Sequence, residues 1–183
     1  MRLFIAVPLP ESALTEAARL LRDLRELDWP VRWVREDGLH LTLKFFGEVT
    51  SDRVEAIEEL VQLATRGMRP VELTLRSGGA FPTRQRPRVL RVEVDADPAL
   101  ELLQDRIETG GADIGFPPEG RPFQPHLTLG RVREGHRLPP GAMEQLERLP
   151  HGTPFLADRV VLFESRLGPG GPVYGPRVEQ VLA

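Results

Sequence analysis

Hydrophobic and polar positions along the chain switch between two periods. The opening run from Arg2 to Val7, rich in β-formers and closed by Pro8 and Pro10, predicts a buried strand. Behind it Leu14, Ala17, Ala18, Leu21, Leu24 and Leu27 recur at steps of three and four, which predicts an amphipathic helix that starts at Glu11 or Ser12 and ends before Pro30. A short strand over 31–34 and a turn at Glu36, Asp37 and Gly38 lead into 40–49, whose period-two alternation demands extended chain. There His40, Thr42 and Lys44 share one face, while Leu41, Leu43 and Phe45 share the other. A second helix is capped by Thr50, Ser51 and Asp52, carries Val54, Ile57, Leu60, Val61 and Ala64, and stops at Gly67; a strand over 71–75 follows.

From Ser77 to Arg88, adjacent glycines, Pro82, Pro87 and three arginines predict a loop and a boundary between lobes, after which alternation resumes over 89–94. Asp97 and Pro98 open a third helix with Leu100, Leu103 and Ile107 on one face, expected to end near Gly110 and Gly111. Beyond a proline- and glycine-rich loop over 116–122 comes another alternating strand, in which His126 and Thr128 oppose Leu127 and Leu129. A short helix over 141–149, a strand over 160–164 and a Gly-Pro turn at 168–172 leading to a strand over 173–178 complete the pattern.

Composition narrows the class. A chain of 183 residues, 40% of them hydrophobic and 28% charged, suits one domain or two fused lobes and excludes a disordered or fibrous protein. The absence of cysteine removes disulfides, thiolate metal sites and a cysteine nucleophile. Lys44 is the only lysine, so the other basic residues are arginines, and a net charge of −3 excludes a protein that coats nucleic acid nonspecifically while leaving room for an arginine-lined cleft. No apolar run is long enough to span a membrane, and Pro8, Pro10 and Glu11 interrupt the start too early for a signal peptide. A cytoplasmic protein is expected.

The chemistry lies in an internal repeat. His40-Leu41-Thr42-Leu43 and His126-Leu127-Thr128-Leu129 are the same tetrapeptide, 86 residues apart. On a strand each projects an imidazole and a hydroxyl to one face and anchors two leucines beneath. Two lobes related by a pseudo-twofold would turn these pairs toward each other. One histidine then takes a proton from a nucleophile and the other gives one to a leaving oxygen, while the threonines donate to phosphoryl oxygens. No metal or other cofactor is required, and the remaining histidines, His136 and His151, lack carboxylates at ligand spacing.

With these motifs the chain resembles the two-histidine phosphoesterase superfamily, and within it the RNA 2′,3′-cyclic phosphodiesterases, over its whole length. RLFIAVPLPE resembles that family's first strand, WVREDGLHLTLKFFGEV and PFQPHLTLGRV its two motif blocks, and ESRLGPGGPVYGP its closing hairpin. The resemblance implies one α+β domain over 1–183 built from two intertwined lobes, with motifs at 40–43 and 126–129. Two antiparallel sheets would flank a central cleft, with helices outside. It implies opening of terminal 2′,3′-cyclic phosphates of RNA or nucleotides to 2′-phosphomonoesters, with reversible 2′-5′ joining of tRNA halves in some members. A monomer without membrane contact is expected. The same motifs fit a phosphodiesterase acting on another small cyclic phosphate or a 2′-5′ linkage, or an RNA-end binding module without turnover.

His40 and His126 are thus the expected catalytic pair, His126 as base and His40 as acid, and Thr42 and Thr128 the expected phosphate ligands. Arg131 follows the second motif and resembles a frequent family arginine; strict alternation turns it away from His126, so either twist or a bulge brings it to phosphate, where its charge would keep His126 neutral, or it forms a surface ion pair. Lys44 shares the His40 face, as a phosphate contact or a solvated strand end. Alternation sends Phe45 to the core and leaves Phe46 as the candidate for stacking on a base, with core packing as the other reading of both. Arg84, Arg86 and Arg88 are either RNA contacts or solvated loop charges, and Ser165 and Tyr174 are assigned to a hairpin.

Overall fold

A computed structural model describes residues Met1–Ala183. In chain order the elements are β1 (Arg2–Pro8), α1 (Glu11–Arg25), β2 (Val31–Trp33), β3 (His40–Glu48), α2 (Val54–Thr65), β4 (Val71–Pro82), β5 (Pro87–Ala96), α3 (Pro98–Asp113), β6 (His126–Val132), α4 (Ala142–Glu147), β7 (Phe155–Ala157), β8 (Arg159–Gly168) and β9 (Gly171–Val181). Single 3₁₀ turns at Glu36–Gly38 and Ser51–Arg53 lead into β3 and α2.

The fold is α+β, and every strand pair is antiparallel. Strands run in the order β7-β4-β5-β6-β3-β1-β8-β9, with β2 also on β6. Two four-stranded halves, β7-β4-β5-β6 and β3-β1-β8-β9, are continuous only where Leu41 pairs with Leu127. The two sheets implied by the family resemblance therefore meet at one residue pair, at the centre of the two motifs.

Chain halves and sheet halves do not coincide. The early strand β2 lies on β6, and the late hairpin β8-β9 lies on β1. Helices α2 and α3 pack on the β3-β1-β8-β9 half, whereas α1 meets the other half, its Glu16 accepting the Thr153 backbone N–H at 3.2 Å. Helix faces carrying Ala17 and Leu21, Ile57 and Val61, and Leu103 and Ile107 join Leu3, Ile5, Leu41, Leu90, Leu127 and Leu162 in one hydrophobic core. Each fully buried leucine of the motifs is worth about 1.5–3 kcal/mol. A one-residue register slip would expose Leu41 and Leu127 and bury the imidazoles, so core burial sets which way the histidines face.

Two sequence expectations fail on glycines. The segment from Ser77 to Arg88 is mostly strand: β4 runs to Pro82 and β5 begins at Pro87, leaving a tight turn between them. Gly78 sits inside β4 because α4 passes directly over it; a Cβ there would lie 2.6 Å from the Leu146 carbonyl oxygen. Likewise α3 continues past Gly110 to Asp113, since the missing side chain admits Leu60 of α2, with which a Cβ would collide. These glycines mark close packing, not chain breaks.

Candidate active site

The face of the sheet turned away from the core holds both motifs. The His40 ring stacks on Phe4 with centroids 4.8 Å apart and meets Tyr174 edge-on at 5.2 Å. Its Nδ1 lies 2.7 Å from the Gly38 carbonyl, and the His126 Nδ1 lies 2.7 Å from the Gln124 carbonyl. A carbonyl only accepts, so in each ring Nδ1–H donates and Nε2 is left as the proton-exchanging atom. Thr42 and Thr128 stand two residues further along each strand, half-buried on the same face.

The two imidazoles differ in their surroundings. Around His40 is an aromatic wall of Phe4, Phe45, Phe163 and Tyr174. Around His126 are charges. Glu93 is its partner on β5 and Arg91 that of Thr128. Arg91 Nε donates to Glu93 Oε1 at 2.6 Å and its Nη2 donates to the Gln124 side-chain oxygen at 3.0 Å. Because the Gln124 carbonyl holds the His126 ring, Arg91 braces the same residue that fixes the imidazole. Arg91, Glu93 and Gln124 escaped the sequence reading. Arg91 and Glu93 are the polar positions of the alternating 89–94 strand, but the sequence does not reveal which strand lies beside it.

Burial depresses the pKa of both histidines below the ordinary 6.5. A backbone carbonyl opposes the shift at each, the charge of His126 lowers His40 further, and at His126 Arg91 lowers while Glu93 raises. The cation that acts on His126 is therefore Arg91, not Arg131 as expected from sequence. A depressed folded pKa means that the unfolded chain binds protons first, so stability is full above pH 6.5 and falls as pH drops toward the folded values. Urea midpoints measured from above pH 6.5 to about two units below should show this loss, and a His40→Gln/His126→Gln double variant should show less of it. An equal loss in both proteins would contradict the burial.

A bulge at the last residue of each motif overturns the strict alternation beyond it. Ala6 pairs with Thr42 but Ile5 with Lys44, leaving Leu43 as an extra residue; Arg91 pairs with Thr128 but Leu90 with Gly130, leaving Leu129 as the other. Facing is inverted beyond each bulge. Lys44 turns into the core, its side chain 1% exposed, and its Nζ donates to Glu108 Oε2 at 2.8 Å. Phe46, the stacking candidate, instead takes its packing reading: it is 9% exposed and meets Phe116 edge-on at 5.0 Å. It offers no face to a base. Phe45, expected in the core, is 58% exposed on the cleft side against Phe4. The second bulge turns the exposed Arg131 to the cleft side, where its charge acts on Tyr174, whose hydroxyl pKa is raised chiefly by burial. Tyr174 is thus a member of the cleft wall as well as of the hairpin.

Outside the cleft, Arg84 is held by Glu144 and Glu147 at 2.7 and 2.6 Å, which favours its structural reading; Arg86 and Arg88 form no ion pair. A groove of about 390 Å³ on the β8-β9 hairpin is lined by Glu164, Arg166 and Arg177, whose charges pair with one another. No group of three or more potential metal-ligating side chains is gathered in the chain.

A family model described as LigT like Phosphoesterase matches residues 7–91 and again 92–174, one match for each motif. A Methanothermobacter thermautotrophicus protein named RNA 2′,3′-cyclic phosphodiesterase is 34% identical over 177 residues, 95% of each chain. A Thermus thermophilus protein of the same name is 34% identical over 183 residues, covering 95% of this chain and 86% of that protein. A solved Thermus thermophilus structure superposes with a TM-score of 0.82 at 29% identity, covering 100% of this chain and 98% of the other. Escherichia coli LigT complexed with 3′-AMP superposes with a TM-score of 0.74 at 28% identity, covering 99% and 97%.

Proposed function

The chain belongs to the LigT like phosphoesterase family, and on that premise we propose that it hydrolyses 2′,3′-cyclic phosphate ends of RNA or nucleotides to 2′-phosphomonoesters. One observation carries the reading. Both imidazoles tie Nδ1–H to a carbonyl and so keep Nε2 for the outward sheet face that they share with two hydroxyls. A pure binder has no need of two titratable groups arranged in this way.

In this mechanism water attacks phosphorus as His126 Nε2 takes its proton. The bond from phosphorus to the ribose 3′ oxygen breaks, and His40, entering the step as the imidazolium with both nitrogens protonated, gives its Nε2 proton to that oxygen, while the 2′ ester remains. Thr42 and Thr128 donate to the nonbridging oxygens, on which charge grows. Burial, and after it the Arg91 charge, favour the neutral ring that His126 needs as the base, against the opposing charge of Glu93. Phe45, not Phe46, is the aromatic face open to a base. With a ribose 5′ hydroxyl in place of water the same attack, again breaking the bond to the 3′ oxygen, joins ends 2′-5′, so tRNA halves are included as partners.

A turnover assay with a 2′,3′-cyclic nucleotide tests this. The expected product is the 2′-monoester, formed at a rate unchanged by EDTA. Thr42→Val and Thr128→Val each retain shape and lose a donor, at an expected cost on the order of 10- to 1,000-fold in rate. Binding without product, a 3′-monoester, or a metal requirement would each defeat the reading.

A further inference from the structure

Beside the cleft lies a pair of arginines that the mechanism does not use for the reacting phosphate. Arg32 of β2 is the direct partner of Arg131 of β6. Their neighbours fix the direction of both side chains: Val31 and Val132, also paired, are buried in the core, and Trp33 packs on the core opposite Gly130. Arg32 and Arg131 therefore both project to the outer face, which the Leu129 bulge makes the face of His126 and Thr128.

Like charges directly opposite on paired strands repel. Neither arginine has a carboxylate within ion-pair distance, although arginines on the adjoining segments do: Arg22 with Glu36 at 2.8 Å, Arg35 with Asp37 at 2.8 Å, and Arg91 with Glu93 at 2.6 Å. Both are exposed. Two facing guanidiniums without an internal counterion form a fork suited to an external phosphate.

Position separates this fork from the reacting phosphate. Arg131 is three residues beyond Thr128, roughly 10 Å along an extended strand and somewhat less across a bulge. Arg91, not Arg131, is the cation braced beside His126. We infer that Arg32 and Arg131 form a second anion site that holds the backbone phosphate preceding the cyclic end, so that the protein prefers an RNA strand to a mononucleotide. This rests on the cyclic phosphodiesterase reading for its substrate, but not for its anion chemistry.

The test compares kcat/KM for a 2′,3′-cyclic mononucleotide with that for a tetranucleotide ending in the same group. Wild type should favour the tetranucleotide, and Arg32→Gln should cut that preference about tenfold, as expected for one charge-assisted contact. Arg32→Lys should restore part of it. The salt slope of tetranucleotide affinity should flatten by about 0.7 in Arg32→Gln, one phosphate contact on a single strand. A wild-type preference near one, or an unchanged preference and slope in Arg32→Gln, would overturn the site. Should wild type turn over neither substrate, the hydrolase reading fails, and fluorescence-anisotropy binding of the tetranucleotide still decides the site: affinity lower in Arg32→Gln supports it, and equal affinity overturns it.

Discussion

Replacing either His40 or His126 with alanine is expected to slow turnover about 100- to 10,000-fold, because in the proposed mechanism each variant removes one of two proton-transfer groups. Neither imidazole is a core residue. Each lies on the cleft side of a strand whose burial comes from Leu41 and Leu43 or Leu127 and Leu129. His40 has the larger structural stake: losing its contacts with Phe4 and Tyr174 should cost about 0.5–1.5 kcal/mol per aromatic pair. A urea titration beside the kinetic assay separates that cost from the catalytic one. The roles separate as well. A substrate with an activated leaving group needs no acid, so it should rescue His40→Ala far more than His126→Ala, and the opposite pattern would exchange acid and base. Near-wild-type turnover in either alanine variant would remove the two-histidine mechanism.

The second large effect lies on the other face of β3. Lys44 is the only lysine, and its ammonium is enclosed by Glu108 Oε2 at 2.8 Å and the Pro117 carbonyl at 3.1 Å. Glu108 also accepts from Gln104 Nε2 at 3.1 Å and from the Glu119 backbone N–H at 3.2 Å. Removing one partner strands the other charge, so Glu108→Leu should destabilise by about 3–5 kcal/mol. The double variant Lys44→Met/Glu108→Leu removes both charges and should recover much of that loss, because two desolvated ions give way to apolar side chains. Equilibrium unfolding of the wild type and the single and double variants measures this. A loss under about 1 kcal/mol in Glu108→Leu would mean that water reaches Lys44.

Much of the site was legible because it depends on local periodicity. Period-two alternation alone turns His40 and Thr42 to one face and their leucines to the other, and the repeat at His126 identifies the partner motif. Beyond each tetrapeptide the same rule misassigned Lys44, Phe45 and Phe46, and by itself turned Arg131 away. A bulge is a mismatch between two strands, so one strand's sequence does not contain it: Leu43 is extra only relative to β1, and Leu129 only relative to β5. The glycines misled for a related reason. Gly78 and Gly110 read as breakers until α4 and Leu60 are seen against them.

The sequence by itself determined the two His-Leu-Thr-Leu strands and the leucines that hold them, which follow from spacings within single segments, and, through the resemblance that its motif blocks carry, the family and the α+β class. Only the tertiary structure decided that the two sheets meet at Leu41 and Leu127, that His40 sits in an aromatic wall while His126 is braced through Arg91 and Gln124, that Lys44 is buried against Glu108, and that Arg32 faces Arg131. Each of these joins residues far apart in the chain. Their energies, from ring packing, charge pairing and strand register, arise only once non-local burial has brought the partners together.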